Sequence, residues 1–244
     1  MLGVGFDRLG LEAAAGEIGR RLERGERTFV ITANPELVMH ARRDATLAEI
    51  VRRADLVLAD GTGVVVAARL LGDPLPARAP GRMLVPLVLR EASRLGRSVF
   101  LLGGAPGIAE RAAAALSAAF PGLRLAGVFA GDGDPRGDVD TLARLRRAAP
   151  EVLLVAYGMP KQERWLARNL PGLSTVVLGI GVGGVLDQLA GVGTVPPAVV
   201  HRWGLEWLWR LVHEPRRWRR QLVIPTFALL VLRARFARVR PAGP

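Results

Sequence analysis

Short, unbroken apolar runs alternate along this chain with longer stretches in which apolar side chains recur every three to four positions. The runs at 28–33, 54–59, 98–102, 123–129, 152–157 and 175–180 are continuous, not alternating. Continuous runs of this length mark parallel strands covered on both faces. The intervening segments 35–53, 62–71, 83–95, 106–120, 139–148 and 161–169 fit helices. The βαβ rhythm predicts an α/β fold: a Rossmann-like parallel sheet with helices on both faces. No repeat of solenoid length interrupts it.

In an open parallel sheet, ligands bind beyond the carboxyl ends of the strands. The chemically distinctive residues fall at those ends. They are Thr32-Ala33-Asn34, Asp60-Gly61-Thr62-Gly63, Gly103-Gly104-Ala105-Pro106-Gly107, Gly158-Met159-Pro160-Lys161-Gln162-Glu163, and the segment 179–187 ending at Asp187. Five strand ends converging on one rim predict a ligand site there. An aspartate is ordinarily ionised at pH 7 and able to take a proton. Asp60 is therefore either a base or simply a turn or cap residue. Gly103 and Gly104 open a strand-to-helix turn whose backbone amides suit a phosphate, or merely a tight connection. Segment 179–184 matches a dinucleotide fingerprint, but late in the chain and without a second nucleotide-binding half. The acid pairs Asp132/Asp134 and Asp138/Asp140 have the form of a divalent-metal site, and turn chemistry accounts for them equally well.

Beyond residue 195 the pattern changes. Trp203, Trp207 and Trp209 stand among arginines, followed by Glu214-Pro215-Arg216-Arg217-Trp218-Arg219-Arg220. At helical spacing Val199, Trp203, Trp207 and Leu211 share one face, and Arg202, Glu206 and Arg210 another. The run 222–232 is apolar apart from Thr226 and is interrupted by Pro225. It is shorter than the ~20 residues a spanning helix needs. It suits a segment lying at a membrane interface, with tryptophan and arginine at headgroup level. A helix docked on the core is the other reading. Two units are thus expected: an α/β catalytic domain over 1–195 and a basic, mostly helical C-terminal appendage over 196–244.

Composition narrows the chemistry. The chain of 244 residues has no cysteine and three scattered histidines. This excludes disulfides and thiolate chemistry and argues against zinc. Of the net charge of +12, residues 196–244 carry +8, with ten arginines against Glu206 and Glu214. Such a patch suits a diphosphate, acidic lipid or nucleic acid. Basic residues beside an apolar run, without a nucleic-acid reading motif, favour lipid. The amino terminus lacks the basic start and long apolar run of a signal peptide, which predicts a cytoplasmic protein.

Several segments in series resemble the WecG/TagA/CpsF family of bacterial glycosyltransferases. They are TANPELV (32–38), ADLVLADGTGVV (54–65), RAPG (78–81), VFLLGGAPG (99–107), YGMPKQERWL (157–166), GVGGVLDQLAG (181–191), GLEWLWRL (204–211) and EPRRWRR (214–220). The resemblance implies an inverting enzyme that needs no metal cofactor. It would move N-acetylmannosamine, or a related sugar, from a UDP carrier to N-acetylglucosaminyl-diphospho-polyprenol. Teichoic acid linkage units, common antigen and capsule are the polymers so built. By the same resemblance Asp60 is the general base, and Thr32, Asn34, Arg78 and Gln162 line the pocket. Gly103, Gly104 and Asp187 complete the substrate site. Arg210, Arg217 and Arg220 close over it and hold the acceptor diphosphate. The partners implied are the donor, the acceptor and an anionic membrane surface at the inner face of the plasma membrane. No nucleic acid is implied, and tail apolar surface allows self-association. Three positions depart from the family pattern: Arg82 and Met83 replace a small and an acidic residue, and Val195 replaces an arginine. The alternative is a Rossmann-type oxidoreductase reading its cofactor through 179–184, with Glu206 as the ribose-binding acid.

Overall fold

The computed structural model describes residues 1–192, 197, 200, 209 and 222–239. One six-stranded sheet organises it, all parallel, in the order β2-β1-β6-β5-β3-β4. The strands are β1 (Thr28–Ala33), β2 (Leu56–Ala59), β3 (Ser98–Gly103), β4 (Arg124–Phe129), β5 (Val152–Ala156) and β6 (Leu178–Gly181). Every residue of β1, β2, β3 and β6 is buried. Their unbroken apolar runs follow from helices covering both faces.

On one face lie α1 (Leu11–Arg24), α5 (Gly81–Arg94), α6 (Ile108–Ala119) and α9 (Val185–Leu189), contributing Ile18, Leu89, Leu116 and Leu186 to one core. On the other lie α2 (Pro35–Arg43), α3 (Ala45–Arg53), α7 (Asp138–Ala148) and α8 (Lys161–Asn169), contributing Leu37, Leu47, Leu145 and Trp165 to a second. Helix α4 (Thr62–Leu70) sends Ala67 into that second core, while Val64 and Ala68 meet Ala59 and Leu75.

The pattern located the six strands within a few residues and misjudged three features. The helix expected over 35–53 is two helices. Asp44 accepts from the Leu47 N–H (3.0 Å) and N-caps α3, and its side chain also meets Arg164. A carboxylate that can bond its own backbone competes with helix continuation. β4 was read as fully covered, but none of its residues is buried. It is the sheet's edge, paired only to β3 with an irregularity between Val99 and Phe100. Helices α1 and α9 were not foreseen.

The opposite edge is closed by the amino-terminal segment. The Asp7 N–H donates to the Val57 carbonyl (2.9 Å), and the Val57 N–H donates to the Asp7 carboxylate (2.7 Å). Covering an edge strand in this way blocks pairing with another chain.

At the carboxyl terminus, α10 (Val223–Val239) packs against α2 and α4 and buries Phe227 and Val231 in the second core. Pro225 does not break it, because a proline in the first turn displaces no intrahelical bond. Leu222, Leu229, Leu232 and Phe236 remain exposed. Among the described residues no helix is long and apolar enough to cross a membrane. The expected boundary near 195 and the amphipathic segment through Trp203 and Trp207 lie outside the described residues.

Candidate active site

All six strand ends meet around one cavity of about 860 Å³. It lies where the sheet's connections part to opposite faces, which is where parallel sheets bind ligands. Thr32, Asn34, Asp60, Arg78, Gln162, Gly104 and Asp187 line it, together with Glu36, Arg82, Asp132, Tyr157 and Ile224.

The left wall grows from β1 and β2. The Asp60 N–H donates to the Ala33 carbonyl (2.9 Å), locking the end of β2 to the end of β1. Gly61 then turns with φ 109°, a conformation open to glycine, and α4 begins at Thr62. The Asp60 side chain is half-buried on the cavity wall. The Ala79 N–H donates to the Ala59 carbonyl (2.7 Å), which brings Arg78 back over the same wall. There its Nη1 donates to Thr62 Oγ1 (3.4 Å). Thr32 faces Gly81 so closely that a Cβ there would sit 3.3 Å from the hydroxyl. Asn34 has a divided role. Its Oδ1 accepts from the Leu37 N–H (3.0 Å) and caps α2, which fixes the carboxamide and leaves its Nδ2 as the donor end.

The right wall comes from β5, β6 and α8. Gln162 is 4% exposed. Its Oε1 accepts from the Gly183 N–H (3.0 Å), and its Nε2 donates to Glu163 Oε1 (2.9 Å). Glu163 is 1% exposed, its Oε2 has no hydrogen-bond partner, and burial pushes its carboxyl up to about 7.

Two glycine readings need correction. Gly103 does not line the cavity: a Cβ there would come within 2.6 Å of the Ala156 backbone, so it serves close approach of β3 to β5. Gly104 does line it, but its N–H donates to the Ala156 carbonyl (3.1 Å) and is not available to a phosphate. The first two glycines of the run 179–184 do not form a phosphate turn either, although Gly183 and Gly184 line the cavity. Gly179 and Gly181 lie within β6, beneath α8, where a Cβ would meet Leu166 at 2.9 Å and Gln162 Nε2 at 2.7 Å respectively. The helix that follows has five residues. That packing removes the structural basis of the dinucleotide reading, and Glu206 lies outside the described residues.

The acids at 132–140 are absorbed mostly by local structure. Asp132 accepts from the Asp134 N–H (2.8 Å), and the Arg136 guanidinium holds the Asp134 carboxyl at about 2. Asp140 pairs with Arg144 (3.0 Å). Asp138 is buried and accepts from Trp165 Nε1 (2.8 Å), Arg168 Nε (2.6 Å) and Asn169 Nδ2 (3.1 Å), tying α7 to α8. Burial works against its charge, yet these donors keep the carboxyl below its ordinary value. Only Asp132 of the four reaches the cavity. Among the described residues no cluster of three or more acids or histidines has the geometry of a metal site.

Arg210, Arg217 and Arg220 lie outside the described residues. Glu36, Tyr157 and Ile224 were missed from sequence. Glu36 had a signal: it occupies the first turn of a helix that opens at a strand's carboxyl end. Ile224 had none, since it reaches the cavity only because α10 folds back.

An open parallel sheet with one large cavity across its carboxyl ends, lined by an acid and an arginine among other groups, has the architecture of a Rossmann-like enzyme. The chain belongs to the glycosyl transferase WecG/TagA/CpsF family, whose model matches residues 1–241. It is a glycosyltransferase. Among its relatives is an N-acetylglucosaminyldiphosphoundecaprenol N-acetyl-beta-D-mannosaminyltransferase of Bacillus spizizenii, 31% identical over 220 residues, which are 90% of this chain and 84% of the relative. The enzyme of the same name from Bacillus subtilis is 31% identical, covering 84% of this chain and 78% of its own. That of Staphylococcus aureus is 32% identical, covering 85% and 80%.

Proposed function

We propose that this protein transfers N-acetylmannosamine, or a related sugar, from a UDP carrier to N-acetylglucosaminyl-diphospho-polyprenol in cell-surface polymer synthesis. The observation that carries the reading is the meeting of Asp60, Thr32, Asn34, Arg78 and Gln162 around one cavity. The names of the relatives supply the substrates.

Asp60 is the general base. As the acceptor hydroxyl oxygen bonds to the anomeric carbon, its proton passes to the Asp60 carboxylate. The bond from that carbon to the phosphate oxygen breaks, and UDP leaves with inversion. Charge growing on UDP requires fixed cations aimed at it. Arg78 supplies one, and Arg210, Arg217 and Arg220 supply the others from the tail. A guanidinium fork suits phosphate oxygens better than an ammonium does. Thr32, the Asn34 amide and Gln162 orient sugar hydroxyls or the acetamido group, with Asp187 on the far wall.

The exposed Leu222, Leu229, Leu232 and Phe236, with exposed Arg233 and Arg235 on the same helix, suit an anionic membrane surface. Peripheral attachment to the inner face of the plasma membrane belongs to the proposal. It would hold the cavity mouth near a lipid-linked acceptor.

The test is mass spectrometry of products from a panel of UDP-sugars and a short-chain lipid-diphosphate acceptor. An added N-acetylhexosamine from UDP-N-acetylmannosamine is expected; no product with any donor rejects the reading. Turnover is expected to survive EDTA, and its loss with recovery on Mg²⁺ would make the enzyme metal-dependent. A Leu229→Glu, Phe236→Glu variant should lose co-sedimentation with anionic vesicles. If it changes only self-association, α10 covers a second copy instead.

A further inference from the structure

Glu163 is a buried acid that the transfer mechanism leaves unused. It does not line the cavity, and among the described residues one of its oxygens has no hydrogen-bond partner. A buried polar atom left unpaired costs stability, so its presence needs an explanation. An apolar side chain of similar length would avoid that cost.

The explanation is in what the other oxygen does. Gln162 lines the cavity and is held at both ends, by the Gly183 N–H on its oxygen (3.0 Å) and by Glu163 Oε1 on its nitrogen (2.9 Å). Gly181, without a side chain, lets the carboxamide press onto β6: a Cβ would lie 2.7 Å from Gln162 Nε2. Flipping the carboxamide would set its N–H groups against the Gly183 N–H, a repulsive contact in either protonation state of Glu163, and its oxygen against an ionised carboxylate, so the orientation is fixed. A primary amide carries two N–H donors, and Glu163 uses one of them.

We propose that Glu163 is a positioning residue for sugar transfer, locking the Gln162 carboxamide so that its second N–H is presented to an oxygen of the substrate in the cavity. The inference rests on the transfer reaction proposed above. Burial raises the Glu163 carboxyl to about 7, the Gln162 hydrogen bond opposes the rise, and the negative charge of Glu36 on α2 adds to it. The carboxyl keeps an acceptor oxygen for Gln162 in both protonation states.

The experiment compares wild type, Glu163→Met, Glu163→Gln, Gln162→Ala and the Gln162→Ala, Glu163→Met double variant. Glu163→Met should raise KM for donor or acceptor about tenfold with a smaller change in kcat. Glu163→Gln, which retains an acceptor oxygen, should recover most of that loss. In the Gln162→Ala background Glu163→Met should add nothing, because the residue it acts through is gone. A wild-type KM in Glu163→Met, or an effect that adds in full to that of Gln162→Ala, overturns the proposal. A second readout does not depend on turnover: hydrogen exchange at the Gln162 side-chain amide, followed by NMR, should accelerate at least tenfold in Glu163→Met. Unchanged exchange also overturns it. Wild-type protein that makes no product rejects the transfer reading, while the exchange measurement still decides the contact.

Discussion

The two ends of the sheet use similar polar residues to opposite purposes. At the amino ends of the strands, acids are consumed in closing the fold. Glu151 accepts from Arg97 Nη1 (2.6 Å) and from the Ser98 N–H (3.0 Å), and Arg97 also donates to the Leu22 carbonyl (3.0 Å). Asp55 accepts from the Phe29 N–H (2.7 Å). At the carboxyl ends, Asp60, Glu36, Asp132 and Asp187 face an open cavity, and Glu163 is buried behind it with an oxygen unpaired. One rim bonds its acids into the fold, while the other turns acids toward the cavity and carries one buried behind it at a cost. Stability given up at a site is the usual companion of function there.

The sharpest break of this contrast is at Asp60. Asp60→Ala should lower kcat by about 10²–10⁴-fold, the range for a lost general base. Its melting temperature and UDP affinity should stay close to wild type. Full activity would remove Asp60 as the base and turn attention to Glu36, another acid lining the cavity.

The next effect separates the rims by the sign of their pH dependence. Glu163 has a folded pKa raised to about 7, so between its unfolded value near about 4.3 and about 7 the native state binds more protons than the unfolded chain. Its contribution therefore makes stability fall as pH rises through that window. At about 1.4 kcal/mol per unit, the fall approaches 3 kcal/mol. Urea unfolding of Glu163→Gln from pH 4.5 to 7.5 should flatten this slope.

Glu151 should behave in the reverse sense. Burial opposes its charge, but Arg97 and Ser98 overcome it and hold the carboxyl below its ordinary value. The stability it contributes is present above its unfolded pKa and is lost as pH falls through the folded one. Glu151→Gln should cost about 1 kcal/mol at pH 7, shrink the acid-unfolding limb, and leave kcat and KM unchanged. A kinetic effect there would mean that the amino rim is coupled to the site.

The smallest predicted effect lies within the site. Asn34→Asp keeps an oxygen to cap α2 but replaces the amide donor with an acceptor. Stability should change by less than about 1 kcal/mol. Any rise in KM then reports the lost amide donor.

Apolar periodicity by itself located the strands, because a strand buried on both faces leaves an unbroken apolar run, though it misread the edge strand β4 as covered. It placed β1 and α8 to the residue, and motif resemblance picked out Thr32, Asp60, Arg78 and Gln162. Tertiary structure alone decided which groups come together on the cavity wall. Whether Gly103 cradles a phosphate or admits β5, and whether Glu163 is a surface charge or an interior acid, depend on neighbours more than a dozen residues away. A linear pattern records the period of burial. It does not record which donor meets which acceptor once helices close over the sheet.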